Sequence, residues 1–315
     1  MTAIGLIING KSNRSAGVID GLLNVARRFD SVRTDVLDGI HGLEKSLIGM
    51  NDSKVDTLIV AGGDGTLQAT FTDTINNRRF DHSPHYVALP CGMTNVIAND
   101  CGLKGSPVES LDNFLRRRQN GDVSPVNRPL LSVKSGEQDP IYGFFLGAGA
   151  FHSAVQFSRT DIQSKGAKRS LALIISVLSY IVKVATDPNN TFDPVELEFI
   201  EGAPDQSSAE VLHSLFMTTT LSKLGSGIFP FWGDGPGAMA TTTVDYPIRR
   251  ILRAAPAILR GKGLSWFEDY GYRSWRSNQM MMQFDGPFVF DGEIFQADKK
   301  HPTVFETSHN VNFLS

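Results

Sequence analysis

Short apolar segments alternate with segments of helical periodicity over the first 128 or so residues. Four apolar runs predict buried strands, namely Ala3–Ile8, Val32–Leu37, Val55–Ala61 and Tyr86–Leu89. Between these runs, apolar residues recur at the spacing of a helix, as Leu67, Phe71 and Ile75 do. Short apolar strands that alternate with helices predict a parallel sheet covered on both faces. Such sheets bind ligands at the carboxyl ends of their strands.

The pattern changes after Arg128-Pro129, where alternating apolar and polar positions are typical of antiparallel strands. The strand candidates are Val195–Phe199, Leu215–Thr220, Met280–Phe284 and Phe288–Phe290, and two helical insertions cover Lys168–Ala185 and Pro247–Arg260. We therefore expect an α/β domain over residues 1–128 and a β-rich domain over residues 129–299. Residues 300–315 are candidates to return to the first domain. The default ligand site is the cleft between the two domains.

Composition narrows the class of protein. Charged residues make up 20% and hydrophobic residues 41% of the chain, which is ordinary for a globular enzyme, and the net charge of −3 gives no support to nucleic-acid binding. Two cysteines give no disulfide framework, so we expect a reducing, cytoplasmic location. The N-terminal apolar run is too short for a signal peptide. The longest apolar stretch, Leu171–Ala185, is shorter than the roughly 20 residues that span a bilayer.

A glycine loop is the most informative motif. Gly62, Gly63, Asp64, Gly65 and Thr66 follow an apolar strand and open a helical segment. Glycines let the backbone approach an anion closely, and the helix N-terminus adds oriented N–H groups. A carboxylate in such a loop fits a Mg²⁺ ion, or a hydroxyl to be deprotonated, beside a phosphate. The loop therefore predicts nucleotide-dependent phosphoryl transfer, against the plainer alternative of a tight turn at a helix start.

Two further loops leave the same predicted sheet edge. The first contains donors suited to phosphate or ribose, namely Asn9, Lys11, Ser12 and Arg14, and a solvated loop is an equally good interpretation. The second contains Gly92, Thr94 and Asn95. Thr94 or Asn95 is able either to cap the helix that follows or to bind a nucleotide.

Two Asp-Gly pairs occur in the second half of the chain. Asp291 and Glu293 lie between alternating apolar residues, so the segment alone favours a hairpin turn over a general base and its partner. Asp234 follows a run of aromatic residues, and a turn or a hard-cation site with backbone carbonyls are the two interpretations.

Residues Pro247–Arg260 predict a basic amphipathic helix. We place six residues on its apolar face, namely Ile248, Ile251, Leu252, Ala255, Ile258 and Leu259. The arginines lie largely off this face. The pattern fits an anchor at a membrane interface, and a helix packed on the β-rich domain is an equal alternative.

In this order, the motifs resemble the diacylglycerol kinase catalytic-domain family, which includes soluble bacterial lipid kinases and sphingosine kinases. The resemblance covers nearly the whole chain and depends most on the glycine loop, on Gly92 with Asn95 and Ala98, and on Asp291-Gly292-Glu293. It implies an ATP-binding α/β domain, like those of NAD kinases and phosphofructokinases, followed by a β-sandwich that takes the lipid.

The resemblance also implies roles for individual residues. Asp64 and the pair Asp291 and Glu293 are the candidate catalytic groups. The cofactor-binding candidates are Asn9, Lys11, Ser12, Arg14, Gly62, Gly63, Asp64, Gly65, Thr66, Gly92, Thr94 and Asn95. A structural Mg²⁺ site would use Asp234 with backbone carbonyls of Phe231 and Pro236.

Several positions depart from the family pattern. Val96 stands where the family has an acid after Asn95, and Gln68-Ala69 stands in place of Asn-Glu. Asp100, one helical turn beyond Val96, is a candidate replacement. These departures bear on the lipid acceptor more than on the fold.

The leading interpretation is an ATP- and Mg²⁺-dependent lipid kinase that phosphorylates a diacylglycerol-like lipid presented at a membrane surface. It implies a peripheral position on the inner membrane face and leaves a homodimer open. The alternatives are a NAD kinase-like enzyme of soluble metabolites and a catalytically inactive nucleotide- or lipid-binding protein.

Overall fold

A computed structural model describes residues 3–12, 17–92, 95–155, 194–204, 211–224 and 228–315. The chain divides into two compact units. Unit 1 comprises Met1–Pro129 with Asn310–Ser315, and unit 2 comprises Leu130–His309. The nucleotide-binding and lipid-binding roles of the predicted domains, and their predicted boundaries, stay predictions.

Unit 1 contains a parallel sheet. Its strands are β1 (Ala3–Asn9), β2 (Val32–Leu37), β3 (Val55–Gly62) and β4 (His85–Pro90), and its helices are α1 (Ile19–Ala26), α2 (Leu43–Asp52), α3 (Asp64–Asn76), α4 (Val96–Cys101) and α5 (Pro107–Gln119). The strand order is β2-β1-β3-β4, with parallel pairing throughout. The end of a long last strand, β15 (Thr303–Leu314), adds to this sheet through Phe313 beside Tyr86.

Both faces of this sheet are buried, which explains its nearly continuous apolar strands. On one face, Ile59 and Val87 pack with Leu111 and Phe114 of α5. On the other face, the ring of Phe71 from α3 meets that of Tyr86 edge-on, with 4.9 Å between their centroids.

Unit 2 is built of antiparallel strands. They are β5 (Pro125–Ser135), β6 (Ile141–Gly143), β7 (Phe145–Gly149), β8 (Val195–Glu201), β9 (Val211–Thr219), β10 (Met239–Asp245), β11 (Tyr272–Ser277), β12 (Gln279–Phe284), β13 (Gly286–Phe290) and β14 (Glu293–Ala297). Neighbouring strands follow the order β14-β13-β7-β9-β8-β12-β15, and β10 pairs with β9 and β11. Aromatic side chains fill the core, and Phe216, Phe284, Phe290 and Phe305 are fully buried.

The predicted fold class, a parallel α/β part followed by an antiparallel β-rich part, is confirmed. The pattern missed helix α2, and its strand candidates did not include β5, β6, β7, β10, β11, β14 or β15. The helix expected over Pro247–Arg260 is shorter, because α6 runs only from Ile251 to Leu259. The predicted helix Lys168–Ala185 lies outside the described residues. Within the described ranges, no helix is long and apolar enough to cross a membrane.

Candidate functional site

Three loops meet at one edge of the parallel sheet of unit 1. They follow β1, β3 and β4, which are neighbours in the sheet. Because the strands are parallel, the carboxyl ends of all three lie at the same edge. The prediction that these loops lie together therefore follows from the parallel topology. Four sets of contacts connect the loops.

Asn9 connects the first loop to the helix that follows the glycine loop. Its side chain is buried, and its Nδ2 donates a 2.7 Å hydrogen bond to Oγ1 of Thr66. Its Oδ1 accepts a 3.0 Å hydrogen bond from the backbone N–H of Lys11. Asn9 therefore holds the start of the first loop against the first turn of α3.

Ser12 connects the first loop to the third. Its hydroxyl donates a 2.8 Å hydrogen bond to the carbonyl of Cys91. The Lys11 ammonium lies 2.9 Å from the carboxylate of Asp38, with both side chains largely exposed. An exposed ion pair of this kind contributes little to stability, so Lys11 is able to turn toward a ligand. The other predicted donors, Arg14 and Thr94, lie outside the described residues.

The glycine loop places the start of α3 at the sheet edge. Gly63 is the extended residue just before the helix, and Asp64 is the first helical residue. The first N–H groups of a helix have no partner within it, and they attract anions. A Cβ atom at Gly62 would lie 2.6 Å from the Thr66 side chain, so only glycine fits there.

The glycine loop and the third loop touch through their backbones. A Cβ atom at Gly92 would lie 2.5 Å from the Cα atom of Gly63. The side chain of Asn95 fixes the third loop from within, because its Oδ1 accepts from the N–H of Gly92 at 2.7 Å and its Nδ2 donates to the Gly92 carbonyl at 3.1 Å. Asn95 has a left-handed backbone, with φ of 52°.

Asp64 caps a different helix from its own. Its carboxylate is buried and accepts hydrogen bonds from the backbone N–H groups of Val96 at 3.0 Å and Ile97 at 3.1 Å. These are the first two residues of α4. Asn95 precedes α4 but makes no side-chain hydrogen bond that caps it, so capping, one of the two interpretations left open for Asn95, does not hold. The carboxylate that caps α4 comes from a residue 32 positions earlier.

The carboxylate of Asp100 is already paired with a basic side chain. Its carboxylate has no exposed surface and lies 2.7 Å from Nε of Arg128. The ion pair neutralises the buried charge. The suggestion that Asp100 replaces the acid missing at Val96 therefore finds no support in its surroundings.

In unit 2, Asp291 and Gly292 form the two-residue turn between β13 and β14, with φ of 47° and 90°. Asp291 is buried, and its carboxylate accepts hydrogen bonds from the N–H groups of Phe144 at 2.8 Å and Phe145 at 3.0 Å. Its own N–H donates to the carbonyl of Phe145. The hairpin is thus present, and Asp291 clamps it to the start of β7.

Glu293 differs from Asp291 because its side chain is exposed. Sequence reasoning missed Gly143, which precedes β7 closely. A Cβ atom there would lie 2.1 Å from Oδ2 of Asp291, so the clamp requires glycine. No signal in the sequence marks Gly143, because its partner lies 148 positions away.

The predicted structural metal site lies in the loop before β10. Phe231 is buried, whereas Asp234 and Pro236 are exposed. Among the residues that the structure describes, no three His, Cys, Asp or Glu side chains lie together as a metal site would require. The site of Phe231, Asp234 and Pro236 depends on backbone carbonyls and stays a prediction.

Comparisons with known proteins agree with the motifs. Residues 3–126 match the family model of the diacylglycerol kinase catalytic domain, and the resemblance to this family is confirmed over that segment. No match was found among curated proteins.

Two solved structures from Bacillus anthracis strain Sterne are similar to the whole chain. One, described provisionally as a diacylglycerol kinase, has a TM-score of 0.62 and 16% identity, and the alignment covers 99% of this chain and 94% of that one. The other, described as a diacylglycerol kinase, has a TM-score of 0.61 and 14% identity, with coverages of 99% and 96%. At this identity the likeness shows the fold.

Proposed function

We propose that this chain is an ATP-dependent kinase that phosphorylates the hydroxyl of a diacylglycerol-like lipid. The single observation that carries the proposal is the meeting of three loops at the start of α3, within the segment that matches the kinase family model. Phosphoryl transfer requires mainly that the reacting groups are positioned and that the charge of the phosphates is neutralised. A rigid set of backbone N–H donors supplies the positioning.

The loops fit the phosphates of a nucleotide. The Gly63–Gly92 contact leaves backbone without side chains at the edge where α3 begins. Phosphates would be held by the N–H groups at the start of α3, with Lys11 as a mobile cation. In this proposal Asp64 acts by holding α4 and the third loop against the glycine loop. Its contacts fit a divalent metal poorly, because both carboxylate oxygens accept backbone N–H groups. Mg²⁺ would then reach the site on the nucleotide.

For the proton of the lipid hydroxyl we propose Glu293 as acceptor. The two oxygens of Asp291 accept hydrogen bonds from Phe144 and Phe145, and a proton there would disrupt the clamp. Glu293 lies two residues further on and is exposed. A side chain of this kind is free to approach a bound hydroxyl.

The test is incubation with γ-labelled ATP, Mg²⁺ and a total lipid extract, followed by identification of the labelled product. We expect a labelled lipid phosphomonoester from the wild-type protein and none from Glu293→Gln. NAD is included in a parallel reaction, and label on NAD with none on lipid would replace the lipid kinase by the soluble-metabolite alternative.

A second candidate function is nucleotide or lipid binding without turnover. The observation that favours it is Val96, whose position holds an acid in the kinase family. Saturable ATP binding with no labelled product from any lipid would establish this function instead.

A further inference from the structure

Helix α6 has an inner and an outer face. Ile251, Ala254 and Ile258 are buried. Leu252 does not join them, although the sequence pattern placed it on the same apolar face. Its exposed fraction is 64%, the largest among the big apolar side chains of the described residues. The helix therefore packs on unit 2 and still presents a leucine to solvent.

The segment around α6 is strongly basic. Residues 246–267 contain five cations and no carboxylate, namely Arg249, Arg250, Arg253, Arg260 and Lys262. Without them the chain would carry a net charge of −8 instead of −3. All five side chains are exposed. In the described part of the chain, none of the five forms an ion pair with a carboxylate.

Two of the five cations have local roles. The guanidinium of Arg250 lies 4.0 Å from the ring centroid of Tyr270 and 5.9 Å from that of Trp266. Arg260 donates to the carbonyl of Pro256 at 3.2 Å. Arg249, Arg253 and Lys262 remain as exposed cations, and Arg249 and Arg253 lie within three residues of Leu252 in the chain.

We propose that this surface docks on an anionic phospholipid bilayer. We define the α6 surface as Tyr246, Arg249, Leu252, Arg253, Lys262 and Leu264. Its cations complement acidic headgroups, and its three apolar side chains, which are 38–64% exposed, gain burial at the headgroup boundary. The inference deepens the proposed function and rests on it, because a diacylglycerol-like acceptor is delivered by a membrane.

A bilayer fits this surface better than a nucleic acid does. A phosphate backbone would use the cations but would leave Leu252 and Leu264 without a partner. A bilayer offers anionic phosphates and an apolar layer within a few ångströms of each other. The apolar side chains therefore decide between the two polyanions.

The first experiment measures binding without nucleotide, so its outcome is independent of catalysis. Wild-type protein is sedimented with vesicles of equimolar phosphatidylglycerol and phosphatidylcholine, and with vesicles of phosphatidylcholine alone. We expect binding to the anionic vesicles only, with reversal by added salt, because salt shortens the range of electrostatic attraction.

The matched variants carry equal changes of charge. Arg249→Gln, Arg253→Gln and Lys262→Gln are combined in one protein. The control combines Lys45→Gln, Lys134→Gln and Lys300→Gln, three exposed lysines elsewhere in the chain. Each cation near an anionic surface is worth about fivefold in partition, so we expect the first variant to lose about a hundredfold and the control to bind like wild type.

The apolar contribution is tested by Leu252→Ser, with Ile40→Ser as control because Ile40 is 57% exposed in unit 1. We expect Leu252→Ser to weaken vesicle binding about tenfold and Ile40→Ser to leave it unchanged.

Equal binding to both vesicle types, or normal binding by the triple variant of the α6 surface, would overturn the proposal. So would a wild-type dimer in solution that Leu252→Ser converts to a monomer, since a second copy would then cover the surface. Failure of vesicle binding with intact phosphorylation of dispersed lipid would overturn this inference and leave the proposed function standing.

Discussion

Asp64 and Val96 are joined by a 3.0 Å hydrogen bond in which the backbone N–H of Val96 donates to the carboxylate of Asp64. The partner oxygen of the same carboxylate accepts from Ile97. One buried acidic side chain thus connects the start of α3 to the start of α4. The acid of the glycine loop thus fixes the start of α4 against the glycine loop.

We expect Asp64→Asn to lower both stability and nucleotide affinity. An amide keeps one acceptor oxygen but turns an NH₂ group toward the other backbone N–H, which then loses its partner. A buried donor left in this way costs about 1–3 kcal/mol. Calorimetric unfolding and an ATP titration measure the two effects.

Asp20→Asn is the matched control, because Asp20 is an exposed acid in the first turn of α1. It should leave both quantities unchanged. If Asp64→Asn instead unfolds and binds ATP like wild type but fails to turn over, the carboxylate acts on the reaction itself.

Gly92→Ala should separate the glycine loop from the third loop. The added methyl would lie 2.5 Å from Cα of Gly63, and neither backbone is able to yield as a flexible side chain would. Overpacking of this kind costs about 1–3 kcal/mol, and we expect ATP affinity to fall with it. Thermal unfolding and an ATP titration check the outcome.

The control for this change is Gly17→Ala, since, apart from its chain neighbours, no atom of the described residues lies within 4 Å of its added methyl. It should unfold at the wild-type temperature. A Gly92→Ala protein with unaltered ATP affinity would show that the close approach of the loops is unimportant for the nucleotide.

Asp291→Asn should lower mainly the stability of the protein, whereas Glu293→Gln should lower mainly its phosphorylation rate. Asp291→Asn removes one of two buried acceptors from the clamp on Phe144 and Phe145, so it should destabilise the protein by about 1–3 kcal/mol. Glu293→Gln changes an exposed side chain and should leave stability unchanged while lowering the phosphorylation rate about 10²–10⁴-fold. Unfolding curves and the labelled-ATP assay separate the two, and full activity of Glu293→Gln would exclude it as proton acceptor.

We expect Asp245 to make the stability of unit 2 dependent on pH. Arg273 donates to both of its oxygens at 2.9 and 2.8 Å, and Nδ1 of His213 lies 3.1 Å away. Burial alone would raise the pKa of Asp245, but His213 and Arg273 outweigh it and hold the pKa below the ordinary 3.8. A lowered pKa stabilises the folded state above the unfolded-state pKa, and this contribution is lost as the pH falls through the folded value.

We therefore expect Arg273→Gln to lower the melting temperature near neutral pH and to match wild type increasingly closely below about pH 4. Arg276→Gln is the control, because Arg276 lies on the same strand and, among the described residues, its guanidinium donates only to the backbone carbonyl of Gly237. Its effect should not change with pH. A constant difference between Arg273→Gln and wild type across this range would contradict the assignment.

Residue patterns near one another in the chain were sufficient to predict much of this protein. The alternation of apolar runs with helical segments predicted the parallel sheet, because burial on both faces requires apolar strands. Parallel strands then bring the loops after β1, β3 and β4 to one edge without further information. The glycine loop was also predictable, because its tight backbone geometry restricts the residue types allowed at neighbouring positions in the chain.

The tertiary structure alone decided what the key acids contact. Asp64 binds the N–H groups of a helix 32 residues away, and Asp291 binds those of Phe144 and Phe145, 147 and 146 residues away. Every residue but proline has the same backbone N–H, so no residue type marks these partners. Leu252 shows the same limit, because helical spacing allowed it on the inner face and only the packing of α6 leaves it in solvent. Local periodicity determines which helices and strands form. The long-range packing of these elements determines which polar groups contact each other and which faces stay exposed to solvent.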